Sequence, residues 1–344
     1  MTSRGRELRV GLIGLGAVTK DHINGFARMD VPIAAVCDVE RSIVERVAVQ
    51  LGARGFVDYR DLLSSGEVDA VDILLPHHLH EEVAHAALAS GLHVLIEKPA
   101  ARSLSAVADL IDVAASNGVM FAVAENTRFV EAYNVVRDLI DDGALGRIEV
   151  VRTAIFGNDS QNLSNPSDWR GRKSLALGGA MFDGGAHSFY LLEWLFQGVG
   201  SVLATSRTFT RNSEVEDFAV ITGELRSGGA YTTEYMFAVE APWSERLEIY
   251  GSAGACFVDQ LTNPVVTYFR NGQDWSGTTI GEVRYDPAGW KSSSIVETVV
   301  DFVEALRDGR PFRVEGEHIQ RASAAIEAAY ESSDRGSVVV PAMR

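Results

Sequence analysis

Hydrophobic positions along this chain fall into two regimes. Up to about residue 126, short apolar runs alternate with segments in which apolar residues recur every three or four positions. Residues 8–13 form the first run, which ends at Gly14, Leu15, Gly16 and gives way to the helical spacing Val18, Ile23, Phe26. The runs "IAAVCD", "VDAVDILL", "HVLIE" and "MFAVAEN" read as further strands, and "HEEVAHAALAS" and "SLSAVADLIDVAASN" as the helices between them. Strand and helix alternating in this way predict a doubly wound parallel sheet with helices on both faces, the Rossmann class, ending near Asn126.

Beyond residue 145 the runs lengthen and alternate in strand fashion: "IEVVRTAIF", "VLATSRTFT", "VEDFAVITGELRS", "GAYTTEYMFAVE" and "RLEIYGSAGACFVD". Turn signals such as Ser227, Gly228, Gly229 separate them, which predicts a large, mostly antiparallel sheet with one open face. Helices are expected at "EAYNVVRDLIDDG", "SIVETVVDFVEALRDG" and "GEHIQRASAAIEAAYESSDRG", and a last strand at "VVVPA". The expected division is a dinucleotide-binding domain over 1–126 and an α+β domain over 127–344 for substrate binding and oligomerisation.

Composition narrows the class. A chain of 344 residues, 46% hydrophobic and 23% charged, has enough apolar material for two cores. Its net charge of −16 argues against nucleic acid and anionic membranes, both of which attract a basic surface. Cys37 and Cys256 form no metal or redox spacing, and no signal peptide or membrane-length apolar run is present; a soluble, cytoplasmic protein is expected. The histidines His22, His77, His78, His80, His85 and His93 gather in the first domain without carboxylates or cysteines at ligand spacing, so no metal is expected.

Two clusters carry chemistry. The loop Gly14, Leu15, Gly16, Ala17, Val18 brings bare backbone to a helix N-terminus, where free N–H groups and the helix dipole receive a pyrophosphate. Thr19 stands where the dinucleotide fingerprint has a third glycine or alanine. Asp38 closes the second strand at the separation of the acidic residue that binds the adenosine ribose. With Glu40 it favours NAD over NADP, while Arg41 lies near enough to soften that preference. Glu97, Lys98, Pro99 follow the strand "HVLIE", placing a lysine at the carboxyl edge of the sheet, where it can do acid–base chemistry beside a cofactor. In "GGAMFDGGAHSFY", Asp183 and His187 are one helical turn apart and share a face, among glycines that allow close approach.

Taken together these segments resemble the Gfo/Idh/MocA oxidoreductases over nearly the whole chain, from "VGLIGLGAV" through "GLHVLIEKP" and "GGAMFDGGAH" to "LEIYGSAGA". The resemblance implies that Lys98, Asp183 and His187 occupy the family's catalytic positions. It implies cofactor contacts at Pro76, His77, His80, Glu97, Lys98, Asn126, Trp169 and Arg170, and substrate contacts at Lys98, Arg128, Asp183 and His187. Two departures stand out: Tyr190 replaces an acidic residue three positions beyond the histidine, and Glu125 is unusual before Asn126 and Arg128.

The function so implied is hydride transfer between NAD(P) and a secondary CHOH or ketone of a sugar, sugar derivative or cyclitol. Either His187 or Lys98 transfers the hydroxyl proton, the other orienting the same oxygen. Two alternatives remain open. One is an NADP-linked ketoreductase of a nucleotide-activated deoxysugar, with Arg170, Arg172 and Lys173 receiving the diphosphate; the other is a catalytically silent cofactor and sugar sensor. By analogy with relatives, a homo-oligomer, dimer or tetramer, is expected through the open sheet.

Overall fold

Strands buried on both faces need no polar alternation, and this explains the solid apolar runs of the first unit. The computed structural model describes residues 8–262, 265–270, 278–279 and 289–342. Its first six strands are Val10–Ile13 (β1), Ile33–Cys37 (β2), Arg54–Phe56 (β3), Ala70–Ile73 (β4), His93–Glu97 (β5) and Phe121–Ala124 (β6). All are parallel, in the order β3-β2-β1-β4-β5-β6. Val10, Leu12, Ile73, Leu95 and Ile96 have no exposed surface. Crossovers run through Thr19–Arg28 (α1), Arg41–Leu51 (α2), Tyr59–Ser64 (α3), His80–Ala89 (α4) and Leu104–Asn117 (α5). Helix α5 shows how sequence sets these limits: the Ser103 hydroxyl accepts the Ala106 N–H, and Gly118 ends the helix at φ +66°. The strand order reverses between β1 and β4, the point where such sheets open a crevice for ligands.

The second unit begins with Glu131–Asp141 (α6), Ile148–Phe156 (β7), the short helices Ser160–Ser164 (α7) and Lys173–Ala176 (α8), and Ala180–Phe196 (α9). Then follow Leu203–Arg207 (β8), Phe218–Glu224 (β9), Ala230–Met236 (β10), Ser244–Gly251 (β11), Gly254–Asp259 (β12), Val266–Arg270 (β13) and Thr278–Thr279 (β14). They form one sheet in the order β14-β13-β12-β11-β7-β10-β9-β8, antiparallel except for the central β7 and β10. One face is apolar, with Val151, Ile155, Tyr231, Tyr235, Leu247 and Ile249 buried, and α9 packs on its β9 and β10. The other face carries Val150, Arg152 and Tyr250, with Arg152 paired to Glu248 at 3.3 Å. The fold class is therefore the one expected: a parallel dinucleotide-type sheet followed by a mixed, mostly antiparallel one.

Two features differ from expectation. The helix Trp290–Asp308 (α10) returns to the first unit, so the chain divides into Met1–Asn126 with Ser292–Gly316, and Thr127–Lys291 with Glu317–Arg344. Residues 292–316, expected in the second domain, pack on α1. A Cβ on Gly25 would stand 2.5 Å from Cβ of Val299, and Ser292 Oγ donates to Asp21 Oδ1 at 2.6 Å. Helix Gly316–Arg335 (α11) then rejoins the second unit from Glu317. The final strand at "VVVPA" shrinks to a single bridge between Val339 and Val202. Val338 and Val340 point to solvent, and Pro341 has no N–H with which to extend a ladder.

Candidate functional site

The glycine turn is built as a dinucleotide cradle. Gly14 has φ +95°, and a Cβ there would lie 2.4 Å from the Leu74 carbonyl oxygen, so only glycine lets β1 turn against the end of β4. Its N–H donates to the Cys37 carbonyl at 2.9 Å. A Cβ on Gly16 would meet nothing within 4 Å, and Gly16 and Ala17 are exposed before the first turn of α1. No side chain caps α1 at Val18. An open approach to uncapped helix N–H groups fits a pyrophosphate, and the residues present therefore fit a dinucleotide. Asp38 closes the far side: its Oδ2 accepts the Leu15 N–H at 2.9 Å and its Oδ1 the Glu40 N–H at 3.0 Å. Each oxygen keeps a further lone pair for a ribose hydroxyl.

The loop after β4 and the turn after β5 are tied together. Pro76 precedes a 3-10 turn at His77–Leu79, in which His77 is buried. His80 has no exposed surface, and its ring nitrogens face the carbonyl oxygens of Pro99 at 2.8 Å and Leu75 at 2.7 Å. Burial pushes its pKa down, and the two carbonyls pull it back. Both nitrogens are thus engaged with backbone, so His80 clamps the two loops together; the resemblance had placed it against the cofactor.

Lys98 is half-buried at the end of β5, as its position after the strand predicts, and its N–H donates to Glu97 Oε2 at 3.2 Å. Under this turn lies a charge set that the sequence reading missed. Nδ1 of His22, on α1, is 2.8 Å from Asp72 Oδ2 on β4, and its Nε2 is 3.2 Å from Glu97 Oε1. Burial by itself would lower the His22 pKa. Asp72 and then Glu97 outweigh it and raise it from 6.5 to about 10. Glu97 is held below the ordinary carboxylate range: burial pushes it up, but His22, then Lys98, prevail. Burial pushes Asp72 up, against His22, and its Oδ1 is buried with no hydrogen-bond partner among the described residues. A signal was present, since a carboxylate inside the solid strand "VDAVDILL" must find a cation or take a proton.

In the second unit, α9 carries both Asp183, half-buried, and His187, buried. Its N-terminus is held by Glu216, whose Oε1 accepts the N–H of Gly179 at 2.9 Å and of Met181 at 3.0 Å, and the Tyr330 hydroxyl at 2.7 Å. A Cβ on Gly179 would sit 1.8 Å from the Glu216 carbonyl oxygen, and one on Gly184 would be 2.8 Å from the Tyr235 ring, which explains the glycines around Asp183. His187 Nδ1 lies 3.2 Å from Thr127 Oγ1. Tyr190 is fully buried, its ring stacked on Trp194 at 6.5 Å, so the position for which the resemblance implies an acidic residue is here a core aromatic.

The remaining expected contacts are distributed. Asn126 donates to Ser294 Oγ at 2.7 Å, both groups buried in the first unit. Arg128 donates to Asn134 Oδ1 at 2.6 Å with its guanidinium 4.3 Å over the Trp194 ring. Arg170 lies 4.7 Å over the Trp169 ring and 3.5 Å from Asp168 Oδ1. Asp159, which the sequence reading passed over, senses the charges of Arg170, Asp183 and Asp168. Burial pushes its pKa up, and the charges of Arg170 and Asp183 reach it from the same unit. Among the described residues no group of His, Cys, Asp and Glu is placed to hold a metal ion, and no helix is long and apolar enough to cross a membrane.

Comparison with known proteins gives this geometry a context. Residues 8–125 match the family described as oxidoreductases with an NAD-binding Rossmann fold, and residues 133–256 match the GFO/IDH/MocA C-terminal domain. Levoglucosan dehydrogenase of Pseudarthrobacter phenanthrenivorans is 32% identical over 213 residues, 58% of this chain and 55% of that one. The myo-inositol 2-dehydrogenase of Thermotoga maritima is 24% identical over 90% of this chain and 91% of its own. Among solved structures, the WlbA dehydrogenase of Bordetella pertussis, in complex with NADH and UDP-GlcNAcA, has a TM-score of 0.91 at 24% identity, covering 99% of each chain. At that identity the structural likeness speaks for the fold alone.

Proposed function

Because this chain belongs to the Gfo/Idh/MocA oxidoreductase family, we propose that it is an NAD-dependent dehydrogenase acting on a secondary CHOH of a sugar, sugar derivative or cyclitol, or on the matching ketone. The observation that carries this reading is Lys98 at the carboxyl edge of the parallel sheet, in the same unit as the open glycine turn and its Asp38 clasp. NAD is favoured over NADP because the Asp38 carboxylate, fixed by two backbone N–H groups, accepts ribose hydroxyls and repels a phosphate.

When bound, the nicotinamide accepts or returns the hydride. The chain supplies the rest. His187 takes the hydroxyl proton, with Thr127 orienting its ring. Lys98 stabilises the negative charge that grows on the same oxygen, and Asp183, one turn before His187, binds a neighbouring hydroxyl. Exchanging the roles of His187 and Lys98 leaves the reaction class the same.

Of the alternatives, the nucleotide-sugar ketoreductase finds less support. Arg170 is paired with Asp168, and Arg172 with Glu214 at 2.9 Å and with the Pro166 carbonyl, so those two arginines are committed locally. A homo-oligomer is supported by the open sheet face, where Tyr250, Phe257 and Phe269 pack edge to face. Both cysteines are buried free thiols, which supports a cytoplasmic location for the proposed enzyme.

The test is the absorbance of reduced nicotinamide with NAD or NADP against inositols, hexoses, anhydrosugars and nucleotide sugars. Reduction of NAD by an unactivated polyol is the expected result. Activity confined to nucleotide sugars with NADPH would replace this reading with the ketoreductase, and cofactor binding without turnover across the panel would replace it with the sensor.

A further inference from the structure

The His22 set under Lys98 is too costly to be incidental. The side chains of His22 and Asp72 have no exposed surface, and burying ionised groups is unfavourable unless they are paired and hydrogen-bonded. Here the pairing is complete on the imidazole. Both ring nitrogens face carboxylate oxygens, so a neutral ring would set a nitrogen lone pair against an anion. The ring is therefore the cation, and the three members of the set come from different elements: α1 carries His22, β4 carries Asp72, and β5 ends in Glu97. The second Glu97 oxygen accepts the N–H of Lys98. His80 and Lys98 are the other charged or titratable groups that act on Glu97.

We propose that His22 is a positioning residue of the dehydrogenase: as a buried cation between Asp72 and Glu97 it aims the Glu97 carboxylate at the Lys98 peptide, and so locks the helix of the glycine turn to the turn that carries Lys98. The proposal rests on the reading that Lys98 takes part in the reaction. Its logic is one of charge balance. Two carboxylates and one imidazolium leave one negative charge facing Lys98. Replacing His22 by a neutral residue leaves two buried carboxylates without their cation, so one must take a proton or turn away, and Glu97 no longer holds its place. Removing the Asp72 charge as well restores the single negative charge. A Gln at 22 then donates to Glu97 and accepts from an Asn at 72.

The experiment compares His22→Gln, Asp72→Asn, the double variant and Lys98→Met in the full chain. It measures NADH affinity by fluorescence, kcat and KM on the substrate that the panel identifies, and melting temperature. For His22→Gln the expected loss in kcat is about 10- to 100-fold, with NADH affinity within about threefold. The double variant is expected to recover most of that loss. A residue that only packs would give the opposite order, with the double variant no better than the single one, and that result overturns the proposal. Histidine nitrogen NMR on the unaltered protein is independent of turnover and of variant folding. One histidine is expected to stay doubly protonated above about pH 8, with its signal absent in His22→Gln. A His22 that is neutral at that pH refutes the proposal. Normal turnover in Lys98→Met overturns the reading beneath it, whereas an inactive Lys98→Met beside a fully active His22→Gln overturns this inference alone.

Discussion

Thr127 Oγ1 lies 3.2 Å from Nδ1 of His187, a buried contact between residues 60 positions apart in the chain. If Nδ1–H donates to the hydroxyl, Nε2 keeps its lone pair and can take a proton. Thr127→Val keeps the shape and removes this hydrogen bond, so the hydroxyl no longer helps to hold the tautomer. The expected result is a fall in kcat of about tenfold with KM little changed, and Thr127→Ser should restore it. Steady-state kinetics on the three proteins decides.

Lys98→Met keeps the length of the side chain and removes its charge. Turnover should fall by about 100-fold or more, since the cation that stabilises the charge growing on the substrate oxygen is lost, while NADH fluorescence titration shows nearly unchanged binding. A loss of cofactor affinity of the same size would instead make Lys98 a cofactor anchor.

Asp38→Ser should move the ratio of kcat/KM for NADP over NAD upward by about tenfold or more, because the repulsion of the added phosphate is gone. A modest loss of stability, about 1 kcal/mol, should accompany it. The Asp38 carboxylate also holds the Leu15 and Glu40 N–H groups. Kinetics with both cofactors, together with a melting curve, separates the two effects.

Glu216→Ala removes an acceptor from two N–H groups at the start of α9 and from the Tyr330 hydroxyl. The expected destabilisation is about 2 kcal/mol, read from denaturant unfolding, with activity falling because Asp183 and His187 ride on that helix. Gly179→Ala should be worse, since its methyl group meets backbone at 1.8 Å and no side chain can move aside.

Stability should also report His22. Its pKa is raised from 6.5 to about 10 by folding, so its stabilising contribution is complete below pH 6.5, declines as pH rises, and is lost above about pH 10. Denaturant midpoints taken between those limits are expected to fall with pH. The fall should be shallower in His22→Gln, and equal slopes in the two proteins would show that His22 does not carry a raised pKa.

Much of the site was legible along the chain because it depends on neighbours in sequence. The glycine turn follows from the end of a strand and the start of a helix. Lys98 reaches a sheet edge because it follows a strand, and Asp183 and His187 share a helix face because they are four residues apart. Thr127 beside His187, Glu216 under Gly179 and α10 along α1 were not legible, because each joins segments far apart in the chain and no local period encodes the pairing.

The sequence by itself determined the alternation of elements, the places where only glycine can turn, and the candidate chemical groups. Tertiary structure alone decided their state. His22 is one of several histidines in the first domain and would titrate near 6.5 as an isolated side chain; between Asp72 and Glu97 it becomes a cation to about pH 10. Protonation depends on the distance to other charges and on the exclusion of water, and both arise only when α1, β4 and β5 have packed together.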